Sequence, residues 1–554
     1  MTKRFRDSNL DQVLLLPVSF HDWLPEDHLA RFIADEMKEM NTAALYAEYQ
    51  GQDGRGQAAY DPLMMTRLLL YGYCLGVTSS RRIERATYED LAFRYLAANQ
   101  HPDHDTIAAF RLEKRKVLAD LFLEALRLCE KAGMVKLGNV AIDGTKILAN
   151  ASTRRSVSYE KLQEREQYWE KIIADWMAAA EQSDAQEDHL FGQGPLSDSL
   201  PPELAKAKSR LAKIREAKAE LEREGRQHLE ELERNAQAQK QARAATDASA
   251  APEGSSTQEA PSTQDAPPAQ DASAAQDASP AQETPTTQDA SAGQKTPSAA
   301  EKCRRRDKAK KQLKRARQNA ESPARQYNFV DPDSRVMPDS RHKKSFVQAY
   351  NAQAAADSHA QVIVAAEVTQ QINDKQQLVP MAQAVKANTG RNPDGLSGDC
   401  GYWDTDSLQD PVLKGIEVLV PPDAKPPSPD GALPASAPNN AEAQRMREVL
   451  ATDAGKEKYG LRKATIEPVF GQIKAGRGIR GFRMRGLDRV SCEWKLICAT
   501  HNLLKLYRHR HPKPKSRMWQ GGWSKPGGGK AGFCNHQRSP LAFSLCTGVF
   551  VPAA

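Results

Sequence analysis

Apolar positions recur at helical spacing through the first 135 residues of the chain. In PLMMTRLLLYGYCLG, from Pro62, they come every three or four residues. SSRRIERATYEDLAFRYLAAN follows, with Ser79 or Ser80 placed to cap a new helix. After the polar break QHPDHD comes TIAAFRLEKRKVLADLFLEALRLCEKAG, a long amphipathic run whose end at Gly133 suits a C-cap. Three helices with a short break before the last have the outline of a helix-turn-helix, whose last helix would present Arg111, Lys114 and Arg115 to DNA. An ordinary helical bundle has the same outline.

The pattern then changes period. In GNVAIDGTKILANAS, from Gly138, the run Val140-Ala141-Ile142 reads as a short buried strand that closes on Asp143. Residues 153–245 are charged and helix-forming, as in an exposed helical hairpin or short coiled coil. Residues 246–300 contain no aromatic residue and no Leu, Ile, Val or Met, and glutamine recurs every six residues from Gln258 to Gln294. Such a segment has too little apolar area to offset its ordering entropy, so a disordered insert is expected, running on through a basic stretch to residue 324.

Strand patterning resumes at 346–369, two extended runs about Ser358-His359 that read as a hairpin. NDKQQLVPMAQAVKANTG is a helix ending at Gly390. LSGDCGYW, a helix through TDSLQDPVLKG and the strand IEVLVP follow. Helices at 465–475 and 487–507 close the order, the second with Leu487, Val490, Trp494, Ile497 and Leu504 on one face. From residue 509 no periodic signal remains. The expected architecture is α/β, a mixed sheet flanked by helices, preceded by an all-α N-terminal domain and interrupted by a helical plus disordered insert. The expected boundaries are 15–135 for the helical DNA-binding domain and 136–152 with 325–508 for the catalytic domain. Residues 153–245 form the charged helical insertion, 246–324 the low-complexity and basic linker, and 509–554 an unassigned tail.

Charge changes the picture through its distribution. The net charge of the 554 residues is only +7, but residues 301–320 hold ten Lys or Arg against two acids, and residues 471–490 hold six against one. Separate basic blocks suggest contact with a polyanion. Eight scattered cysteines without a CxxC pair read as reduced thiols. No apolar run is long enough to span a bilayer, and the N-terminus lacks a signal-peptide core, so a cytoplasmic, nucleoid-associated protein with no membrane partner is expected.

Three acids stand where α/β sites are built. Asp143 and Asp399 close strands and Glu467 lies on a helix, so the topology can bring them to one sheet edge. Three carboxylates together repel unless cations lie between them. An all-oxygen donor set favours two Mg2+ or Mn2+ ions, the arrangement that serves phosphoryl transfer. Pro468 is expected in the first helical turn. Tyr459 and Arg462 precede the glutamate, Lys474 follows two turns on, and Arg477, Arg480, Arg483 and Arg485 lie in a Gly-punctuated stretch suited to a phosphate backbone. GRGIRG within that stretch matches a dinucleotide-binding pattern but follows a helix, and GGGKAG has Ala531 where a phosphate loop needs Ser or Thr.

LLLYGYCLGVTSSRRIERATYEDLAFRYL, VAIDGTKILANAS, YNAQAAADSHAQVIVAAEVT, GDCGYW and RKATIEPVFGQIK together resemble a bacterial insertion-sequence transposase of the DDE class. The resemblance covers residues 15–152 and 325–508 and implies a ribonuclease-H-like catalytic domain. It implies that Asp143, Asp399 and Glu467 are the metal-binding catalytic triad. It also implies that Tyr459, Arg462 and Lys474 belong to a Tyr-Arg-Glu-Lys signature in which the cations hold DNA phosphates. Four residues separate Arg462 from Glu467 where the signature has three, which leaves Lys463 as the other candidate for the arginine's place. The expected substrates are double-stranded DNA with terminal inverted repeats and target DNA, engaged by a homodimer or larger assembly. A non-transposing metal nuclease of the same fold and a catalytically inactive DNA-binding relic are the alternatives.

Overall fold

The computed structural model describes residues 23–47, 59–191, 202–249, 299–339, 345–423, 438 and 440–512. The Gln-punctuated repeat and the tail from residue 513 lie outside the described residues.

Among the described residues seven helices come first: α1 (Leu29–Glu39), α2 (Ala43–Ala47), α3 (Pro62–Leu75), α4 (Ser80–Glu89), α5 (Leu91–Leu96), α6 (His104–Glu113) and α7 (Arg115–Lys131). Two of the runs expected as single helices are broken. Asp90 ends α4 and caps α5 by accepting from the N–H groups of Ala92 and Phe93, as short acidic residues do at helix starts. The chain turns again at Lys114, so that Ile107 and Phe110 of α6 and Leu118, Leu121 and Phe122 of α7 all reach the interior.

Among the described residues eight strands form two sheets, one of six strands and one of two. β1 (Val140–Leu148), β4 (Arg335–Pro338), β5 (Phe346–Asp357), β6 (Ile363–Thr369), β7 (Gly395–Ser397) and β8 (Glu417–Leu419) form the main sheet, while β2 (Ser156–Val157) pairs with β3 (Tyr327–Asn328). β1 is central. It runs antiparallel to β5, with Asp143 opposite Ala354, and parallel to β7, which is parallel to β8. β4 and β6 share the far edge of β5. The centre is built for close packing: Val140, Ala141, Ile142, Ala352, Ala354, Ala355 and Ala356 are almost wholly buried.

The insertion leaves the sheet after β1 and returns before β4 as α8 (Tyr159–Phe191), α9 (Pro202–Ser249) and α10 (Ala299–Glu321). The basic run expected as linker is therefore helical from Ala299. Its Lys, Arg, Ala and Gln residues are strong helix formers. It lies close on α9, where a side chain at Gly225 would meet the Asn319 carbonyl at 2.8 Å. A small core of Val157, Leu162, Ile214, Ala217, Leu221 and Tyr327 fixes the base of the insertion.

The second half closes with α11 (Leu378–Thr389), the single turn α12 (Thr405–Leu408), α13 (Ala441–Ala451), α14 (Asp453–Gly471), a π-helical segment Gln472–Gly476, and α15 (Leu487–Arg510). α14 starts well before the expected residue 465. Pro468 accordingly lies inside it, not in its first turn. α15 is the keystone. Val490, Trp494, Leu496, Ile497, Ala499 and Leu503 are buried, and the helix packs on α7, α3 and β6 at once. The N-terminal helices therefore share one continuous apolar core with the sheet, from Leu24 to Leu506; they are not a body apart.

Candidate active site

β1 carries Asp143 to the point where its partner strand stops. β7 pairs with β1 only at Val140 and Ala141, so the next residues of β1 face the turn that follows β7. Asp399 opens that turn and caps it, accepting from the Gly401 N–H at 2.9 Å. The two aspartates meet there. Burial, then the repulsion of Asp399, pushes the Asp143 carboxyl up to about 6, against the pull of the Arg462 guanidinium and the Gly144 N–H.

Arg462 comes from α14. It is 8 % exposed, its Nη1 lies 3.7 Å from Asp143 Oδ2, and its guanidinium stands 5.7 Å from the centre of the Tyr459 ring. Lys463, the other candidate for this position, is exposed. α14 runs alongside β1. Asn139 donates to the Lys458 carbonyl near one end, Arg462 sits at Asp143, and Lys474 Nζ donates to Thr145 Oγ1 (2.7 Å) and the Lys146 carbonyl (2.9 Å). Glu467 lies on α14 between Arg462 and the π-helical segment that carries Lys474, with an exposed side chain. No described hydrogen bond or ion pair joins it to either aspartate.

A residue that sequence reasoning passed over completes the cluster. Asp374 precedes α11, and its Oδ1 accepts from Asn351 Nδ2 and Gln353 Nε2, both at 2.6 Å. It sits under Gly144, where an added Cβ would be 2.5 Å from Asp374 Oδ1; Oδ2 lies 3.7 Å from the corresponding point on Gly401. Its charge adds to that of Asp399 in raising Asp143. The buried Tyr402 hydroxyl donates to Gln353 Oε1 and so steadies the amide that holds Asp374. The only signal in the sequence was an Asp beside the polar start of a predicted helix.

Among the described residues no group of three or more His, Cys, Asp or Glu is drawn close enough to hold a metal ion by itself. Mg2+, however, is commonly held by one or two carboxylates together with substrate phosphates. Asp143 and Asp399 fit that role: two carboxylates that repel, with no histidine among the groups acting on Asp143.

The expected DNA contacts divide. Arg111 is buried and donates to Tyr73 Oη, the Thr78 carbonyl and Ser80 Oγ; Tyr73 in turn donates to Glu493. Lys114 is 2 % exposed at the turn between α6 and α7. Arg115 is partly exposed and pairs with Asp488 at 3.0 Å. Arg111 and Lys114 are corrected to interior residues, because the α6–α7 turn rolls them toward the core. Arg477 is partly buried and turned onto α3 and α15. Its guanidinium donates to Thr500 Oγ1 and to the Tyr73 and Ile497 carbonyls, and burial lowers its pKa to about 10. Arg480 remains exposed, with Nε on the Lys474 carbonyl.

The geometry brings two aspartates together, one in β1 and one just after β7, with an arginine and a lysine beside them. Two family models match the chain. A transposase domain (DUF772) matches residues 18–113 and a transposase DDE domain matches residues 433–507. The second spans Tyr459, Arg462, Glu467 and Lys474. Both matched stretches are transposase domains, and together they support an insertion-sequence transposase of the DDE class. No curated protein and no solved structure matches the chain. No described helix is long and apolar enough to cross a membrane.

Proposed function

We propose that the protein binds the ends of its element as double-stranded DNA, hydrolyses the phosphodiester there, and joins the freed 3′-hydroxyl to target DNA. The observation that carries this reading is the meeting of Asp143 and Asp399 beside the helix matched by the DDE domain. The strand order, three antiparallel strands β6-β5-β1 followed by the parallel β7 and β8, supports a ribonuclease-H-like fold.

Asp143 and Asp399 would be the principal holders of two Mg2+ or Mn2+ ions, with Glu467 as the third ligand from α14. Such ions activate the attacking oxygen and stabilise the leaving one in phosphoryl transfer. The chain's own residues do the rest. Arg462, oriented by Tyr459, balances charge on Asp143 and reaches toward a phosphate. Lys474 fixes the β1 backbone beyond the site, and Asp374 adds negative potential beneath it. End recognition belongs on the exposed face of α4, where Arg81 and Arg82 are exposed, in place of Arg111 and Lys114. Holding two DNA ends at once requires at least a dimer.

The test uses duplexes from the DNA bordering the gene, incubated with the purified chain and Mg2+ or EDTA. Divalent-dependent cleavage followed by joined products is expected. Cleavage without joining would reduce the reading to a nuclease, and binding without cleavage would reduce it to an inactive relic.

A further inference from the structure

The helical insertion and the catalytic sheet enclose a cleft of about 990 Å3 that lies apart from the carboxylate cluster. One wall is the insertion, with His228 of α9 and Gln312 and Asn319 of α10; the other is the loop of residues 370–376. Arg315 stands three residues after Gln312 and four before Asn319, so it shares their stripe of α10, and Lys311 and Lys314 flank it, all exposed.

The loop reads QQINDKQ. Ile372 is 53 % exposed among amides, and Lys375 is exposed beside it. The amides are arranged in advance: Gln371 donates to Gln376 at 2.8 Å and accepts from Gln377 at 2.9 Å. The acid in the cleft wall, Asp404, is engaged as the cap of α12, accepting from Ser407. Asp374, between Asn373 and Lys375, turns the other way, under Gly144 and next to Asp143. The two sides of one loop thus serve the cleft and the carboxylate cluster.

We propose that this cleft seats a DNA strand and leads its scissile phosphate to Asp143 and Asp399. Arg315 and Lys375 contact backbone phosphates, which set position. Gln312, Asn319 and the loop amides meet base edges, which carry sequence. Ile372 lies against a base face, as aliphatic wedges do in bent or unstacked DNA. The helical insertion is then part of the substrate-binding machinery, the second wall of the DNA path. This inference rests on the transposase reading.

The full chain and the double variant Arg315→Glu/Lys375→Glu are compared for binding of a fluorescein-labelled duplex from the DNA bordering the gene, by anisotropy across a KCl series. Both positions are exposed, and unchanged thermal melting confirms the fold. The expected result is at least about a tenfold loss of affinity and a salt dependence flattened by about two units of slope, one for each phosphate contact. With Ile372→Ala, quenching of 2-aminopurine placed at the cleavage step is expected to weaken while the salt slope stays the same. If the unaltered chain binds the duplex and the double variant binds it equally with the same slope, the cleft is not the DNA path and the inference falls while the transposase reading stands. If the unaltered chain binds no duplex at any salt concentration, both fall.

Discussion

Asp143 sits inside β1, just past the residues that pair with β7, with Asp399 and Asp374 raising its carboxyl and the Arg462 guanidinium and the Gly144 N–H opposing them. Its carboxyl is raised from an ordinary 3.8 to about 6. A raised carboxyl in the folded state holds its proton longer than in the unfolded chain, so folding stability falls as pH rises from about 4 to about 6. The expected loss is up to about 3 kcal/mol without divalent ions, and Asp143→Asn should remove most of it. Urea unfolding in EDTA across that pH range measures both curves; a variant curve as steep as the original would show that the burden lies elsewhere. Arg111 makes the opposite case, a cation with a structural role. Arg111→Ala leaves Tyr73 and Glu493 buried without it, and a cost of about 2–4 kcal/mol is expected in urea unfolding. DNA affinity per folded molecule should not change; a loss of affinity at full stability would return Arg111 to the DNA surface.

At the scale of elements, helices and strands were legible wherever period and caps agreed. The hairpin about Ser358-His359 appears as β5 and β6, and the helix ending at Gly390 as α11, because alternation and a positive-φ glycine are local signals. What could not be read was set by partners distant in the sequence. Nothing local says that Arg111 meets Tyr73 and Thr78, or that Asp374 lies under Gly144. The start of α14 at Asp453 was missed because its exposed first turns carry no apolar stripe. Asp143 and Asp399 were legible as acids that follow apolar runs, but the strand expected to close at Asp143 continues to Leu148, because β5 stays paired with it to Ala349; the structure brings the two acids together. Glu467 was legible only through its motif, and its side chain stays apart from theirs. The contact of α3 with the segment after α14 was equally invisible. Gly76 ends α3 at φ 77°, and a Cβ there would run into the Arg477 carbonyl. Gly76→Ala is therefore expected to cost about 2–3 kcal/mol or more in thermal or urea unfolding. A near-neutral result would mean that the N-terminal helices and the sheet do not meet there.

For the whole molecule, the insertion matters more than its composition suggested. α9 and α10 run antiparallel, since Arg317 pairs with Glu233 while Asn319 lies over Gly225. Ser249 and Ala299 therefore fall at the same end of the insertion. The cost of closing the segment between them grows only with the logarithm of its length, about 0.6 kcal/mol per doubling. Replacing residues 250–298 with a short Gly/Ser linker should leave melting temperature, DNA binding and cleavage near their original values. Loss of cleavage in a stable protein would give the repeat a role in assembly.

Which carboxylates serve the chemistry is tested most directly by separating binding from cleavage in three single variants. Asp143→Asn, Asp399→Asn and Glu467→Gln each remove a charge at nearly constant shape. DNA from the border of the gene is titrated with each protein in EDTA, and cleavage is then followed in Mg2+. The predicted result is DNA affinity within a few-fold of the original for all three, and no detectable Mg2+-dependent cleavage by any of them. Cleavage within a few-fold of the original by Asp143→Asn or Asp399→Asn would contradict the account at its centre, and the same result for Glu467→Gln would remove that residue from the site.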